Sequence, residues 1–275
     1  MIKEVTVCVN NIDKQAFAAV AACKFAEKYG AVLKASYIKL DTVEIVRWAG
    51  SSPMDLANKL LADQDDREQN AKALFETFTK NFHCDKEWVC VNQSGNPLKQ
   101  MLCTDLFFVD QPTGDDHTFV GDEDFLSNLI LETNRPVVMI PHGWQSDDIG
   151  SRVLIGWNAS PQAMRAVTDA MPILQHAKQV SILDVIKDST FSSPTNTAST
   201  LQQYLGNRDI EAQLFIEHAG RQNAEETILT DYAKDCLVNL LVVGGYGHSK
   251  LRESVLGGMT RHLIENAEIP VLFAH

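Results

Sequence analysis

At 275 residues the chain exceeds the roughly 100–200 residues of one domain, so two domains are expected. Hydrophobic residues make up 45%, charged residues 22%, and the net charge is -12. That composition suits a globular protein with sizeable cores, and its sign disfavours nucleic acid or anionic lipid as a partner. No apolar run approaches the roughly 18 residues that span a bilayer.

The N-terminus, "MIKEVTVCVNN", enters a strand-like alternation at once and does not read as a signal peptide. Cys8, Cys23, Cys84, Cys90, Cys103 and Cys236 are irregularly spaced and form no C-x-x-C pair. They are expected to be reduced, mostly buried thiols of a cytoplasmic protein.

In chain order, "VTVCV" predicts a strand, and "DKQAFAAVAACKFAEKYG" a helix ending at Gly30. "VLKASYI" predicts a second strand, and Asp41–Asn81 is long enough for two helices. "KEWVCV", "PLKQMLC", "DLFFVD", "EDFLSNLILET" and "RPVVMI" follow as strand, short helix, strand, helix and strand. A polar linker with Gly143 and Gly150 is expected over Pro141–Ser151.

The second half repeats the order. "RVLIGW" is a strand. "SPQAMRAVTDAMPIL" is a helix with Ser160 as N-cap, Pro161 at its first position, and Ala163, Val167, Ala170 and Leu174 as its buried stripe. "QVSILDVI", "ASTLQQYL", "EAQLFIEH", "NAEETILTDYAKD" and "LVNLLVV" then alternate strand and helix; Ile228, Leu229 and Tyr232 face inward on the last of these helices. "MTRHLIENA" and "IPVLFAH" close the chain as helix and strand. Continuous apolar strands alternating with helices indicate an α/β fold with parallel sheets covered on both faces.

The halves superimpose in sequence. Val5–Val9 falls on Val153–Trp157, Asn10 on Asn158, and Pro136 on Pro270. The reading is two tandem domains, residues 1–143 and 151–275, each an open five-stranded, mostly parallel sheet flanked by helices.

One segment has no counterpart: "GGYGHSKLRESVLGGMT", Gly244 to Thr260. It starts where the fourth strand of the second half ends, the place where open parallel sheets bind ligands. Gly244, Gly245 and Gly247 allow positive φ and close approach to the main chain. Gly257 and Gly258 precede a helix expected to begin near Met259, whose free N–H groups suit an anion such as phosphate; Thr260 adds a hydroxyl. His248, Lys250 and Arg252 lie either against phosphate or on a solvated basic face. The segment is neither a P-loop, nor G-x-G-x-x-G, nor a nucleophile elbow.

In the first half, Glu123 and Asp124 fall on Gly257 and Gly258, and Asp110–Asp124 holds six acidic residues without Lys or Arg. The first domain is therefore expected not to bind nucleotide phosphate. His142, His218 and His275 lack partners at metal spacing. Trp157 is either a stacking surface or a strand-end core residue.

The spacing Gly244-x2-Gly247-x9-Gly257 resembles the fingerprint of the universal stress protein family, as do "RVLIGWNASPQAMRAV" and "GHSKLRESVLGGMTRHLIENAEIPVLFAH". The resemblance implies a Rossmann-like fold of the adenine nucleotide alpha hydrolase type. It also implies an ATP or related adenine nucleotide (ADP or AMP) over the ends of strands one and four of the second domain, with Mg2+ only where ATP is bound. Gly244, Gly247 and Gly257 would line the phosphates, with Gly258, Met259 and Thr260 closing the site. Val185 would meet adenine through its backbone, and Asn158 would stand where nucleotide-binding members usually have Asp. Gly258 departs from the family's Ser or Thr.

By the same resemblance, "RPVVMI" and "IPVLFAH" would pair within the chain as an intramolecular pseudo-dimer, with whole chains free to form a homodimer. Three functional classes stay open on the sequence. They are a stress-response sensor or regulator binding nucleotide in the second domain only, a nucleotide-free scaffold acting through partners, and a slow ATPase at the same glycines. No catalytic nucleophile–base pair is visible.

Overall fold

Apolar runs of four to nine residues form the strands, and each helix lays one apolar stripe on them. The computed structural model describes residues 1–12, 16–39, 54–92, 96–112, 123–146, 148–187, 197–219, 225–245 and 258–275, with side chains of 54–62 excluded. These divide into two compact units, Ile2–Thr133 and Asn134–His275, the latter with Met1.

In the N-terminal unit, β1 (Glu4–Cys8), β2 (Val32–Lys39), β3 (Lys86–Asn92) and β4 (Leu106–Asp110) run parallel in the order β3-β2-β1-β4. Its helices are α1 (Phe17–Tyr29), α2 (Met54–Thr79), α3 (Pro97–Gln100) and α4 (Glu123–Thr133). Helix α1 ends at Gly30, whose φ of 62° makes the left-handed C-cap. Where two helices were expected over Asp41–Asn81, α2 is one 26-residue helix; the rest of that segment is outside the described residues. Phe75 of α2 is buried against Trp88, and Trp88 Nε1 donates to Glu68 Oε1 at 3.1 Å.

The C-terminal unit holds β5 (Val137–Ile140), β6 (Arg152–Trp157), β7 (Gln179–Lys187), β8 (Ala212–Ala219), β9 (Leu240–Gly244) and β10 (Val271–Ala274). Their order is β5-β10-β9-β6-β7-β8. All pairings are parallel except β5 with β10, where Val138 faces Leu272 antiparallel. The segment expected as the fifth strand of the first sheet thus groups with the second unit, through the pairing with the last strand. Helices α5 (Pro161–Leu174), α6 (Thr197–Gly206), α7 (Glu225–Asp235) and α8 (Gly258–Asn266) complete it.

Ser160 caps α5 as expected, its Oγ accepting from Ala163 N at 3.1 Å, and Ala163, Val167, Ala170 and Leu174 are buried. On α7, Leu229 is buried while Ile228 and Tyr232 are half-buried. Strand β9 begins at Leu240, later than the apolar run suggests, because Leu237 takes φ 51° and ends the α7 connection. The cysteines are less uniformly buried than expected: Cys8 and Cys23 are buried, Cys84 and Cys236 half-buried, Cys90 and Cys103 exposed.

The amino ends of both sheets carry the same side-chain staple. In the N-terminal unit, Asp105 Oδ2 accepts from Lys3 N at 2.7 Å and Glu4 N at 3.0 Å. At the matching place in the C-terminal unit, buried Asn239 accepts from Gly150 N at 3.1 Å and Arg152 N at 2.9 Å, and donates to Ser151 Oγ and Asp148 Oδ2. Gly150 is required beside it, since its φ is 81° and an added Cβ would lie 2.5 Å from Ile173. Truncating Asn239 strands two main-chain N–H groups out of water. Asn239→Ala is expected to lower unfolding free energy by about 2–4 kcal/mol in urea titration; Asn239→Asp keeps the acceptor for both N–H groups but faces the Asp148 carboxylate, and should recover only a minor part of it.

Candidate functional site

The carboxyl ends of the strands are where the two units diverge. In each, the first strand stops before its neighbour does. The β1–β2 ladder ends at Cys8–Ser36 and the β6–β7 ladder at Trp157–Asp184, whereas β2–β3 and β7–β8 run on to Lys39 and Lys187. Beyond those points β2 and β7 have main-chain groups without a partner in the shorter strand.

In the N-terminal unit a side chain fills the gap. Asn10 Nδ2 donates to Ile38 O at 2.8 Å, and Asn10 Oδ1 accepts from Ile38 N at 2.9 Å. Continuing the registers, Ile38 stands to Asn10 as Val185 stands to Asn158. Asn158 does something else: its Oδ1 accepts from Ser160 N at 3.1 Å, an Asx turn that leads into α5 with Ala159 at φ 56°. No hydrogen bond joins Asn158 to Val185 among the described residues. Among the described residues no side chain plugs the backbone at Val185, whereas its counterpart at Ile38 is closed.

The fourth strands differ in the same sense. By register with the first strands, Asp110 and Gly244 are equivalent. Helix α1 has no side-chain cap of its own at Ala16, and Asp110 Oδ1 supplies one from β4, accepting from Ala18 N at 2.8 Å. Burial pushes the Asp110 carboxyl up to about 7, and the single backbone hydrogen bond only partly offsets this. The carboxylate also raises the thiol of Cys8, already driven up by burial, to about 12.

At Gly244 the helix itself takes the space: a Cβ there would lie 2.5 Å from Ala163 N and 2.6 Å from Gln162 C. Gly245 is held on its other side by β10. Its N–H donates to Ala274 O at 2.8 Å, and its carbonyl accepts from the His275 ring at 3.1 Å. Gly244 is therefore explained by packing before any ligand is considered, and the main chain of Gly245 is engaged by β10.

The other predicted residues are distributed as follows. Gly258 opens α8 and is exposed; Met259 is half-buried and Thr260 is buried at 3% exposure. Gly247, His248 and Gly257, like Lys250 and Arg252, lie outside the described residues. An acid not anticipated from the sequence stands at this helix start: the Glu226 carboxylate is 3.0 Å from where a Gly258 Cβ would be. Trp157 is a core residue, its Nε1 donating to Thr197 Oγ1 at 3.3 Å. Asp184 at the end of the β6–β7 ladder is half-buried, and desolvation raises its carboxyl above the usual range. On the N-terminal side, Glu123 and Asp124 form the first turn of α4, as expected. The residues that fill the equivalent site, Asn10 and Asp110, come from β-strand ends and were not singled out for that role.

Residues 151–275 match the family model described as the universal stress protein family. The C-terminal half of the chain belongs to this family. A universal stress protein of Synechocystis sp. is 36% identical over 63 residues, which is 23% of this chain and 20% of that protein. The chain thus matches about a fifth of that relative's length. The crystal structure of a universal stress protein from Archaeoglobus fulgidus DSM 4304 superimposes with a TM-score of 0.70 at 13% identity, covering 98% of this chain and 97% of that one. A functionally unknown protein from Pseudomonas aeruginosa PAO1 gives 0.60 at 14% identity, with 99% and 92% covered. At such identities these two likenesses speak for the fold of the whole chain: the N-terminal unit shares the universal stress protein architecture.

Two expectations follow from the filled and unfilled strand ends. Folded Asp110 holds its proton up to about 7, while in the unfolded chain it loses it near 4. Between those values the folded state binds more protons, so this residue's contribution favours folding at low pH and is lost as pH rises through the window. Asp110→Asn keeps an acceptor for Ala18 N; relative to wild type it should gain about 1–3 kcal/mol at pH 8 but little at pH 4, measured by denaturant titration across pH. Gly244→Ala should cost about 1–3 kcal/mol at any pH, because the α5 backbone has to move away from β9.

Proposed function

We propose that the C-terminal unit of this universal stress protein binds an adenine nucleotide (ATP, ADP or AMP) and that the protein acts as a sensor or regulator in the stress response. The observation that carries the reading is the unplugged backbone at Val185, set against its closed counterpart at Ile38. An adenine edge presents a donor and an acceptor side by side, the pair that Asn10 presents to Ile38. Nucleotide binding is assigned to the C-terminal unit alone, because Asn10 and Asp110 occupy the corresponding places in the other.

Phosphates would lie toward the start of α8, where Gly258, Met259 and Thr260 bring main-chain N–H groups. Gly244, Gly247, His248 and Gly257 belong to the same proposed lining, and Asn158 offers its remaining amide group. Mg2+ would accompany ATP and offset the Glu226 carboxylate. The cysteines, none in a disulfide among the described residues, support a reducing cytoplasmic setting. The β5–β10 pairing supports an intramolecular pseudo-dimer, to which a homodimer of whole chains would be a further step. The acidic charge argues against nucleic acid and membrane partners.

A nucleotide-free scaffold has two observations in its favour: packing alone explains Gly244, and Glu226 approaches the start of α8. Calorimetry separates the readings. Gly258→Ser restores the hydroxyl usual at this position and should tighten ATP binding by a few-fold to about tenfold. Gly258→Asp, which imitates Asp124, should weaken it by about tenfold or more with little change in thermal stability. Native mass spectrometry of the purified protein should show retained nucleotide. If folded wild-type protein retains none and binds neither ATP, ADP nor AMP, the scaffold reading stands. Phosphate release that Gly258→Asp abolishes would identify an ATPase.

A further inference from the structure

A pair of thiols in the N-terminal unit has no part in the site described above. Cys23 is buried on α1, and Cys84 is half-buried in the connection between α2 and β3. In sequence they are far apart, and nothing in their spacing pairs them. The fold brings them together: the thiols of Cys23 and Cys84 are neighbours under the end of α1.

The surrounding backbone fixes that meeting. Glu27 lies one helical turn beyond Cys23 on the same face of α1, and its Oε1 accepts from His83 N, the residue before Cys84. Asp85, the residue after, accepts from Leu33 N at 2.8 Å through its carbonyl. Cys84 is thus held from both sides over the last turns of α1. It also lines an open cleft of about 420 Å³ with Glu27, Gly30, His83 and Asp85, which gives a small oxidant access to its sulfur.

We propose that Cys23 and Cys84 are a redox pair that closes to an intramolecular disulfide when the protein meets a hydroperoxide. The Cys84 thiolate attacks the peroxide; the O–O bond breaks, leaving Cys84 as a sulfenic acid and releasing an alcohol, or water from hydrogen peroxide. Cys23 then attacks the sulfenic sulfur, the S–S bond forms, and the hydroxyl leaves as water with the Cys23 proton. The two thiols together give up two electrons and two protons, and one peroxide O–O bond is reduced.

The roles follow from the surroundings. Cys84 lines the cleft, where a peroxide can reach it; Cys23 is buried away from it and suits the resolving part. Burial raises both thiols above the ordinary range, against the pull of the nearby Lys86 ammonium. Thiolate is therefore scarce, so the pair stays reduced under mild conditions and closes slowly. Closure would tie the α2–β3 connection covalently to α1.

The test uses the full chain carrying Cys90→Ser and Cys103→Ser, which remove the exposed thiols. After hydrogen peroxide treatment, alkylation and digestion, mass spectrometry should recover a linked Cys23–Cys84 peptide pair that dithiothreitol releases. Adding Cys84→Ser, a half-exposed change expected to fold, should leave Cys23 as an unmodified thiol under the same treatment. Recovery of Cys84 as sulfinic acid with Cys23 still a thiol would overturn the proposal. So would a link from Cys84 to any other cysteine, or both residues remaining thiols after prolonged exposure to excess peroxide.

Discussion

The structure turns on a mismatch of strand lengths. When a central parallel strand ends before its neighbour, the neighbour's next N–H and C=O lose their ladder partners, and a main-chain pair left without water or protein is costly. Something has to satisfy that pair. A side-chain amide does so in the N-terminal unit, where Asn10 reaches Ile38 with both its oxygen and its nitrogen. In the C-terminal unit the equivalent amide is drawn into the entry of α5 by Ser160. Water or a ligand edge with the same donor–acceptor pattern is then the natural occupant.

This difference at one residue is coupled to a second. Helix α5 carries its own cap in Ser160 and starts with Pro161, so it needs nothing from the sheet and settles close enough to β9 that only glycine fits at 244. Helix α1 lacks such a cap and takes it from Asp110 on β4. A carboxyl group in that position fills the end of the strand, where the other unit has bare main chain. The local sequence "NASP" and the glycine at 244 therefore belong to one solution, and Asn10 with Asp110 to another. At the amino ends, by contrast, Asp105 and Asn239 hold the first strand in the same way in both units. The amino-end staple is common to both halves, whereas the carboxyl ends of the strands are closed in different ways.

Much of this was legible in the sequence because it is local or periodic. The strands, the Ser160 cap with Pro161, the stop at Gly30 and the start of α8 are set by neighbours within a turn or two. The contrast between the halves was legible too, although acidic residues at the start of α4 announced it. The fillers themselves were hidden. Asn10 and Asn158 look alike as letters, and what separates them is a choice of hydrogen-bond partner: Ile38 across the sheet for one, Ser160 two residues along for the other. The connection from the first strand to the second also differs by one residue: Glu4 faces Val32, but Arg152 faces Gln179. Contacts between distant segments, such as Glu226 at Gly258 or Cys23 at Cys84, leave no periodic trace either.

The same reasoning changes what a glycine motif means. Gly244 is the first glycine of the fingerprint, yet its lack of a side chain is already demanded by the backbone of Gln162 and Ala163. A protein could keep it for packing alone after losing its ligand, so its presence says little about binding. Gly258 is different. It is exposed, opens a helix, and meets only the end of a flexible glutamate. Nothing in the packing forbids a small side chain there, and a hydroxyl would both cap the helix and donate to a phosphate. Discrimination between a nucleotide-binding and a nucleotide-free protein therefore lies at the far end of the motif and at Val185, where no partner among the described residues accounts for the main-chain groups.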